Sequence, residues 1–493
     1  MQVRKFQLFI DGKFVDSQSG MTFESINPHD QSTVGIISKG DIVDLNAAVA
    51  AARAAYDGRW SRVTPGEKAR LLNRLADLLE ANTDDLSRLE SMDNGMPLAL
   101  SAFSVADAVN VIRYWAGMTS KIHGLTSTAM RPGEFHGYSL REPVGVVGGI
   151  TPWNAPLMMA VWKTAPALAC GNTVVLKPAS LTPCTALALA NLYAQAGFPE
   201  GTVNVVPGSG EAVGSALAEH MDVDKIAITG DHVTGRRIVE MSASNLKTVT
   251  LELGGKSPHI IFEDADLDTA VGHALIGLFT NSGQACVAGT RLLVHEAIHD
   301  RFVERFIQGA EQIPIGNPLD PSTRMGPLAS ASQLRKVQEY VEVGKQEGAI
   351  LCTGGHRPTA PECANGFYFA PTLFTGVDNR MRIAQEEIFG PVGVVIKFRD
   401  DEQALCMAND VIYGLAAGLQ TKDLKRAHRF ASRLQAGTVW INTWHMVEAN
   451  TPFGGYKLSG YGRENGFAMI EHLTRLKQVW VDLNDSVGDL LGA

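Results

Sequence analysis

Across residues 144–255 the chain repeats one short pattern five times. "VGVVGGI", "NTVVLKP", "GTVNVVPG", "DKIAITG" and "KTVTLELGG" are β-rich runs set roughly 22 to 30 residues apart. Helix-patterned segments such as 157–168 and 185–196 separate them. Runs that are apolar on both faces can be covered on both, and a helical crossover returns the chain to start a parallel neighbour. The pattern therefore predicts an α/β fold around a parallel sheet flanked by helices. Such sheets bind ligands at the carboxyl ends of their strands, so the loops after these runs are where a site is expected.

At 493 residues the chain is too long for one ordinary core. A second α/β block opens after Gly255, with "HIIFED", "RLLVHE" and "GTVWIN" as strands and 300–311 and 330–346 as helices. Residues 45–115 are helical by pattern, with leucines at helical spacing in "GEKARLLNRLADLLEANTDDLSRLES". The opening "MQVRKFQLFIDGKFVDSQSG" reads as a hairpin. "EFHGYSLRE" and "LKQVWVDLN" alternate like strands outside both blocks, which predicts an antiparallel flap reaching a neighbouring subunit.

The net charge of −9 comes without a basic block, so nucleic acid is not an expected partner. No apolar run is long enough to predict a membrane span. Six cysteines are scattered without a CxxC pair and no signal segment is visible, so reduced thiols in the cytoplasm are expected.

Most unpaired cysteines sit in apolar cores. Cys286 lies instead in "FTNSGQACVAGTR", among small and polar residues, as at the rim of a cleft. Glu252 stands between leucines near a strand end; burial there raises a carboxyl pKa and suits a general base, the alternative being a structural Glu paired with Lys or Arg. Asn154 in "GITPWNAP" and the backbone N–H groups of 284–286 can donate to a developing oxyanion, although a lone Asn is more often a turn residue. Lys177 in "LKPAS" ends a strand where a cation can meet a phosphate or a ribose.

"ITGDHVTGRRI" turns through Gly230 into a helix carrying Gly235. It reads as an anion site of backbone N–H groups, or as a glycine turn with Asp231 as N-cap. "HEAIH", from His295 to His299, matches the zinc-protease string. His295 follows a strand-like run, however, so the two rings should not converge and no metal is expected.

"TPWNAP", "LKPAS", "TG" followed by "GRRI", "LELGGKSP", "NSGQACVAGTR", "EEIFGPV", "TPFGGYKLSGYGREN" and the strand-like tail stand together in one order. In that order they closely resemble the aldehyde dehydrogenase superfamily, over essentially the whole chain. The resemblance implies an aldehyde dehydrogenase-like fold in three parts. They are a Rossmann-like NAD(P)-binding domain (1–123 and 143–253), an α/β catalytic domain (254–455) and an oligomerisation segment (124–142 and 473–493). It further implies a homodimer or homotetramer that oxidises an aldehyde to the carboxylic acid with NAD or NADP.

By the same resemblance, Cys286 is the nucleophile of a thiohemiacetal and then a thioester. The Asn154 amide and the Cys286 N–H hold the oxyanion, and Glu252 activates the hydrolytic water. Lys163 and Glu464 match positions linked to proton relay or to support of the site. Implied cofactor contacts are Thr151, Trp153, Lys177, Ser180, Gly230, Asp231, Gly235, Leu253, Glu387 and Phe389. Implied substrate contacts are Ala155, Met159, Trp162, Thr280, Ala285, Val287, His445, Val447 and Phe453.

Three departures carry information. Ser180 replaces a Glu that grips ribose hydroxyls in many NAD-preferring members, which makes NADP plausible. Asp231 replaces a Ser or Thr that can donate to pyrophosphate; an ionised Asp only accepts. Ala155, Thr280 and Val447 replace aromatic residues of many short-chain aldehyde oxidisers. That predicts a wide tunnel and a bulky or aromatic aldehyde, unless Trp162, Trp444, Met159 and His445 refill it. Two alternatives stand beside this reading. A CoA-acylating semialdehyde dehydrogenase typically lacks the glutamate matching Glu252, and a non-catalytic scaffold protein can lose Cys286 or Glu252.

Overall fold

The five repeated runs become five parallel strands. In the computed structural model, which describes residues 4–485, their spatial order is Thr248–Glu252, Lys225–Thr229, Val146–Ile150, Thr173–Lys177, Val203–Val205. From Val146–Ile150 the chain first winds toward Val203–Val205. It then returns to the other side with Lys225–Thr229. The loops after Ile150 and Thr229 therefore part company and open a crevice, as at any topological switch point. The hairpin Leu8–Ile10 with Lys13–Val15 extends this sheet antiparallel. The expected hairpin is thus confined to residues 8–15, because Arg4–Phe6 instead pairs parallel with Thr33–Ser38 in a separate sheet.

A second seven-stranded sheet runs Ile350–Thr353, Thr372–Thr375, Val392–Phe398, Arg291–His295, Pro258–Ile261, Ala416–Gln420, Thr438–Ile441. Only its Ile350–Thr353 edge is antiparallel. Residues 253–257 alone join the two sheets. The flap forms as expected: Thr474–Asp482 pairs antiparallel with Phe135–Pro143 along its whole length, and Thr126–Ser127 adds a third strand. Residues 486–493 of the expected bridging segment lie outside the described residues. "HEAIH" spans a strand-to-helix junction, His295 ending Arg291–His295 and His299 beginning His299–Glu311. No described helix is long and apolar enough to cross a membrane.

The helix Pro156–Ala169, buried along almost its whole length, lies on the first sheet behind the crevice loop. What aims it is a neighbouring helix, Thr83–Asn94, whose last turns bury the polar side chains of Glu90, Ser91, Asp93 and Asn94. Glu90 caps the start of Pro156–Ala169 by accepting from Leu157 N at 3.3 Å, and it accepts from the Thr185 hydroxyl at 2.7 Å in the helix Cys184–Ala196. Asp93 accepts from Cys184 N at 2.9 Å and from the Ser25 hydroxyl. Asn94 donates to the Trp153 carbonyl at 2.5 Å. Burial pushes Glu90 up to about 7 and Asp93 up to about 6, against the pull of these donors. Tertiary caps of this kind satisfy helix N–H groups that local residues leave open: neither Ala155 nor Pro183 makes a side-chain cap bond. Glu90→Ala should destabilise the protein by about 2 to 4 kcal/mol in denaturant melts, and Glu90→Gln by less, since it keeps one acceptor.

Candidate active site

The cysteine loop begins where the helix Leu267–Phe279 ends. Asn281, Ser282 and Gly283 then take left-handed backbone, with φ of 52°, 57° and 72°. For the two non-glycine residues that costs about 1 kcal/mol or more each, so the surroundings must hold it. They do so through side chains. Ser282 donates to Gly326 O at 2.8 Å, Gln284 accepts from Ala329 N at 2.9 Å, and Asn281 donates to Asn154 O at 2.9 Å. Asn154 returns a bond from its amide to Gln284 O at 3.0 Å. One amide hydrogen of Asn154 is thereby engaged, and its second is left for another acceptor. The cysteine loop and the "TPWNAP" loop, from different sheets, are locked together.

Cys286 and Glu387 converge on Gly254 and Gly255. A methyl group at Gly254 would fall 2.2 Å from a Glu387 oxygen, and one at Gly255 would fall 2.5 Å from Cys286 O. Gly255 N donates to Glu387 at 2.9 Å. Glu252 ends its strand just before them, buried, with neither carboxylate oxygen bonded to protein. Burial raises its pKa well above the ordinary carboxylate range, and the Glu464 charge adds to this against Lys163 and Arg463. Lys163 and Glu464 form an ion pair hidden from solvent. The Cys286 residue keeps partial access. Burial pushes its thiol up to about 12, with the Glu387 and Glu252 carboxyls adding to the effect. A thiol so placed needs a base or a nearby positive charge before it becomes a strong nucleophile.

The expected cofactor residues collect around the crevice. Thr151, Lys177, Gly230 and Leu253 end or follow four adjacent strands. Burial draws Lys177 down to about 8, and its ammonium donates to Pro178 O at 2.9 Å. Ser180 spends its hydroxyl proton on Gly208 O at 2.7 Å. Trp153 and Phe389, from opposite sheets, meet edge to face at 5.2 Å. Asp231 is the N-cap of His232–Ser242, accepting from Val233 N and Thr234 N, each at 2.9 Å. Burial opposes its charge, but the Thr234 hydroxyl and these N–H groups hold its carboxyl below the usual range. Gly235 lies against Leu253, where a methyl would come within 2.7 Å, so it sets how closely helix and strand approach. An open crevice with a lysine, a buried carboxylate and two aromatic rings fits a dinucleotide. The helix N–H groups already serve Asp231.

Of the expected substrate residues, Met159, Trp162, Val287 and Phe453 are buried in one apolar cluster, against which Ala155, Val447 and Cys286 pack. Trp162 meets Phe453 edge to face at 5.5 Å. Thr280 and Ala285, both half-buried, stand outside that cluster, and the Thr280 hydroxyl is turned back onto Ile276 O at 2.7 Å. Trp444 belongs to the same cluster. It lies over Gly418, where a methyl would come within 2.3 Å, and over the His259 ring at 4.4 Å. His445 is half-buried near Trp440 and Trp444, its pKa drawn down to about 4 by burial. Sequence reasoning missed Asp107, on the helix Leu98–Met118. Burial and the Glu448 charge push it up to about 6 beside Trp162. A lone acid on a helix carries no local signal of that position.

Fold and site together define a two-sheet α/β protein with a thiol, an amide donor and a buried carboxylate around one crossing. The chain belongs to the aldehyde dehydrogenase family, which it matches over residues 14–479, and is an oxidoreductase of that family. An aldehyde dehydrogenase of Emericella nidulans is 47% identical over 97% of this chain and 96% of its own. The betaine aldehyde dehydrogenase of Bacillus subtilis is 44% identical over 96% of each. The NAD+ complex of an aldehyde dehydrogenase from Bacillus cereus superposes with a TM-score of 0.95 at 44% identity, covering 98% of this chain and 97% of that one.

Alkylation of Cys286 by iodoacetamide in the cofactor-free protein should be slow at pH 7. Because the thiol pKa is raised, the rate should climb about tenfold per pH unit up to pH 10. A plateau near pH 7 would show a thiolate already formed.

Proposed function

We propose that this chain oxidises an aldehyde to its carboxylic acid, with Cys286 as nucleophile and NAD or NADP as the electron acceptor. What supports this is the Cys286 carbonyl against Gly255, the Asn154 amide bonded to Gln284 O two residues before Cys286, and the buried, unpartnered Glu252 carboxyl whose charge acts on the Cys286 thiol. Cys286 Sγ forms a bond to the carbonyl carbon as its proton passes to solvent water, which leaves Glu252 ionised for the hydrolytic step. The free amide hydrogen of Asn154 and the Cys286 N–H face the oxygen that gains charge. The bound nicotinamide supplies the hydride acceptor. Trp153, Phe389 and Glu387 would hold its ring and ribose, and Lys177 the adenosine end. Glu252 then takes a proton from the water that cleaves the thioester. Its raised pKa makes it an effective base once that water is held. The flap exposes Leu140, Leu476 and Trp480, the kind of surface a second copy of this chain would cover. Glu252→Gln should leave a rapid first burst of nicotinamide reduction with steady turnover lowered at least about a hundredfold. Cys286→Ala should abolish the burst as well.

Two cofactors and two substrate classes follow from the departures. Ser180 neither repels a 2′-phosphate nor has a free proton to give it, so Lys177 supplies the attraction. A lysine near pKa 8 is charged below that pH and neutral above it. For substrate, the small residues Ala155 and Val447 against the Trp162–Phe453 corner favour a bulky or aromatic aldehyde. A second reading rests on Asp107 and Glu448. Two carboxyls beside Trp162 suit an aldehyde that carries a cation, as the betaine aldehyde dehydrogenase relative is named for. One set of kcat/KM values settles both choices: benzaldehyde, acetaldehyde and a trimethylammonium aldehyde, each with NAD+ and NADP+. NADP+ should be used, its KM rising relative to that of NAD+ from pH 7 to pH 9, and Ser180→Glu should remove it alone. Benzaldehyde should exceed acetaldehyde about tenfold. Preference for the cationic aldehyde, lost in Asp107→Asn, would select the second reading.

A further inference from the structure

The helix that opens onto the crevice, His232–Ser242, uses its first N–H groups within the chain. Val233 N and Thr234 N donate to Oδ1 of Asp231, each at 2.9 Å, and the Thr234 hydroxyl donates to Oδ2 at 2.6 Å. Gly235 N donates to the Asp231 carbonyl at 2.9 Å. A helix start holds an anion through such N–H groups and the positive end of its dipole. Here the anion is the protein's own carboxylate. A second anion brought to the same turn meets like charge where it needs donors. Of the helix's first four N–H groups, that of His232 alone forms no hydrogen bond among the described residues.

The ring of His232 is held from the other half of the molecule. Its Nδ1 lies 3.1 Å from the Tyr413 hydroxyl, and the two rings meet edge to face at 5.6 Å. Tyr413 lies in a short strand, Tyr413–Gly414, paired antiparallel with Tyr456–Lys457. Burial raises its phenol above the ordinary range, and the Glu387 carboxyl adds to this, so the hydroxyl keeps its proton. That hydroxyl has no other hydrogen-bond partner among the described residues, so it donates to Nδ1. An imidazole that accepts at Nδ1 carries its proton at Nε2. The half-buried ring makes no further hydrogen bond among the described residues, which leaves Nε2–H beside the unused backbone N–H of the same residue.

Strand order sets where this pair of donors stands. Lys177, at the adenosine end of the proposed cofactor path, ends Thr173–Lys177. Val146–Ile150 comes next, then Lys225–Thr229, which leads into His232. Thr248–Glu252 follows, and just beyond it Gly255 N bonds Glu387, at the nicotinamide-ribose end. Across the strands His232 is two spacings, about 10 Å, from Lys177, and on the side of Glu387. In a dinucleotide the pyrophosphate joins the two riboses, so it is the part that passes His232. The other cations of this helix, Arg236 and Arg237, are exposed and lie a turn further in, Arg236 with Glu240 at 3.9 Å.

We propose that His232 holds the cofactor's pyrophosphate in place of the helix start that Asp231 fills, donating from Nε2 and from its backbone N–H. This rests on the reading of the crevice as the dinucleotide site. Tyr413 acts through His232, by fixing its ring, and is a positioning residue.

The test is calorimetric binding of NAD+, ADP-ribose and adenosine to the full-length, cofactor-free protein. His232→Ala should weaken NAD+ and ADP-ribose about tenfold and leave adenosine, which has no phosphate, within about twofold. Tyr413→Phe should weaken the first two about threefold, because the ring keeps its donor and loses its orientation. Asp231→Ser should tighten NAD+. In that background His232→Ala should lose no more than about threefold, since the helix N–H groups then reach the phosphates. ADP-ribose bound by His232→Ala as tightly as by the unchanged protein, or an equal loss for adenosine, would overturn the assignment. So would the same tenfold loss with and without Asp231. If the unchanged protein binds none of the three, the crevice reading falls and the assignment with it; if it binds all three and His232→Ala changes nothing, only the role of His232 is wrong.

Discussion

The site depends on one short crossing. Residues 253–257 carry the chain from the edge strand of one parallel sheet to a central strand of the next. The first sheet points the carboxyl ends of its parallel strands at this crossing, and the second the amino ends of its own. Two glycines in the middle let the Glu387 carboxylate and the Cys286 carbonyl approach the backbone itself. The edge strand is closed by a loop, not by another strand: Leu251 N bonds Tyr461 O at 2.9 Å and Leu253 N bonds Ser459 O at 3.0 Å. That loop brings Glu464 to Lys163. One crossing therefore fixes the places of Cys286, Glu252 and the Lys163–Glu464 pair.

Holding such groups in one place is costly. Glu252, Lys163, Glu464 and Lys225 are all buried within one layer, where isolated charges lose several kcal/mol of hydration each. Pairing Lys163 with Glu464 offsets part of this, and the raised Glu252 pKa shows the remainder being relieved by protonation. Left-handed Asn281 and Ser282 add backbone strain close by. The rest of the fold supports this with rigid caps: Glu90 and Asp93 tie together the starts of two helices, and Asn94 ties down the Trp153 carbonyl. Strain and unpaired charge at a site held by an over-determined surround is the usual arrangement of a catalytic centre.

Much of this was legible in the chain. The five β-rich runs, the flap strands, the junction at "HEAIH" and the N-cap at Asp231 are local patterns, and local patterns survive folding when tertiary packing agrees with them. The polar neighbours of Cys286 went with its partial exposure, and the leucines beside Glu252 with its burial. The tail of the hairpin reading failed at Arg4–Phe6, because strand pairing across a turn cannot be told from pairing with a distant strand. Trp444 shows the same limit: an aromatic residue near a tunnel sequence can turn either way, and here it packs against three glycines, Gly277, Gly289 and Gly418.

The sequence by itself determined the parallel-sheet class and the family, since each rests on spacing or on residue type within a few positions. Only the tertiary structure decided that Ser180 gives its proton to Gly208, that Asp107 stands beside Trp162, and that Lys225 donates to the Thr250 hydroxyl. Those are relations between residues far apart in the chain. They depend on strand register and helix placement, and a one-residue shift in either would turn the same side chains to the opposite face.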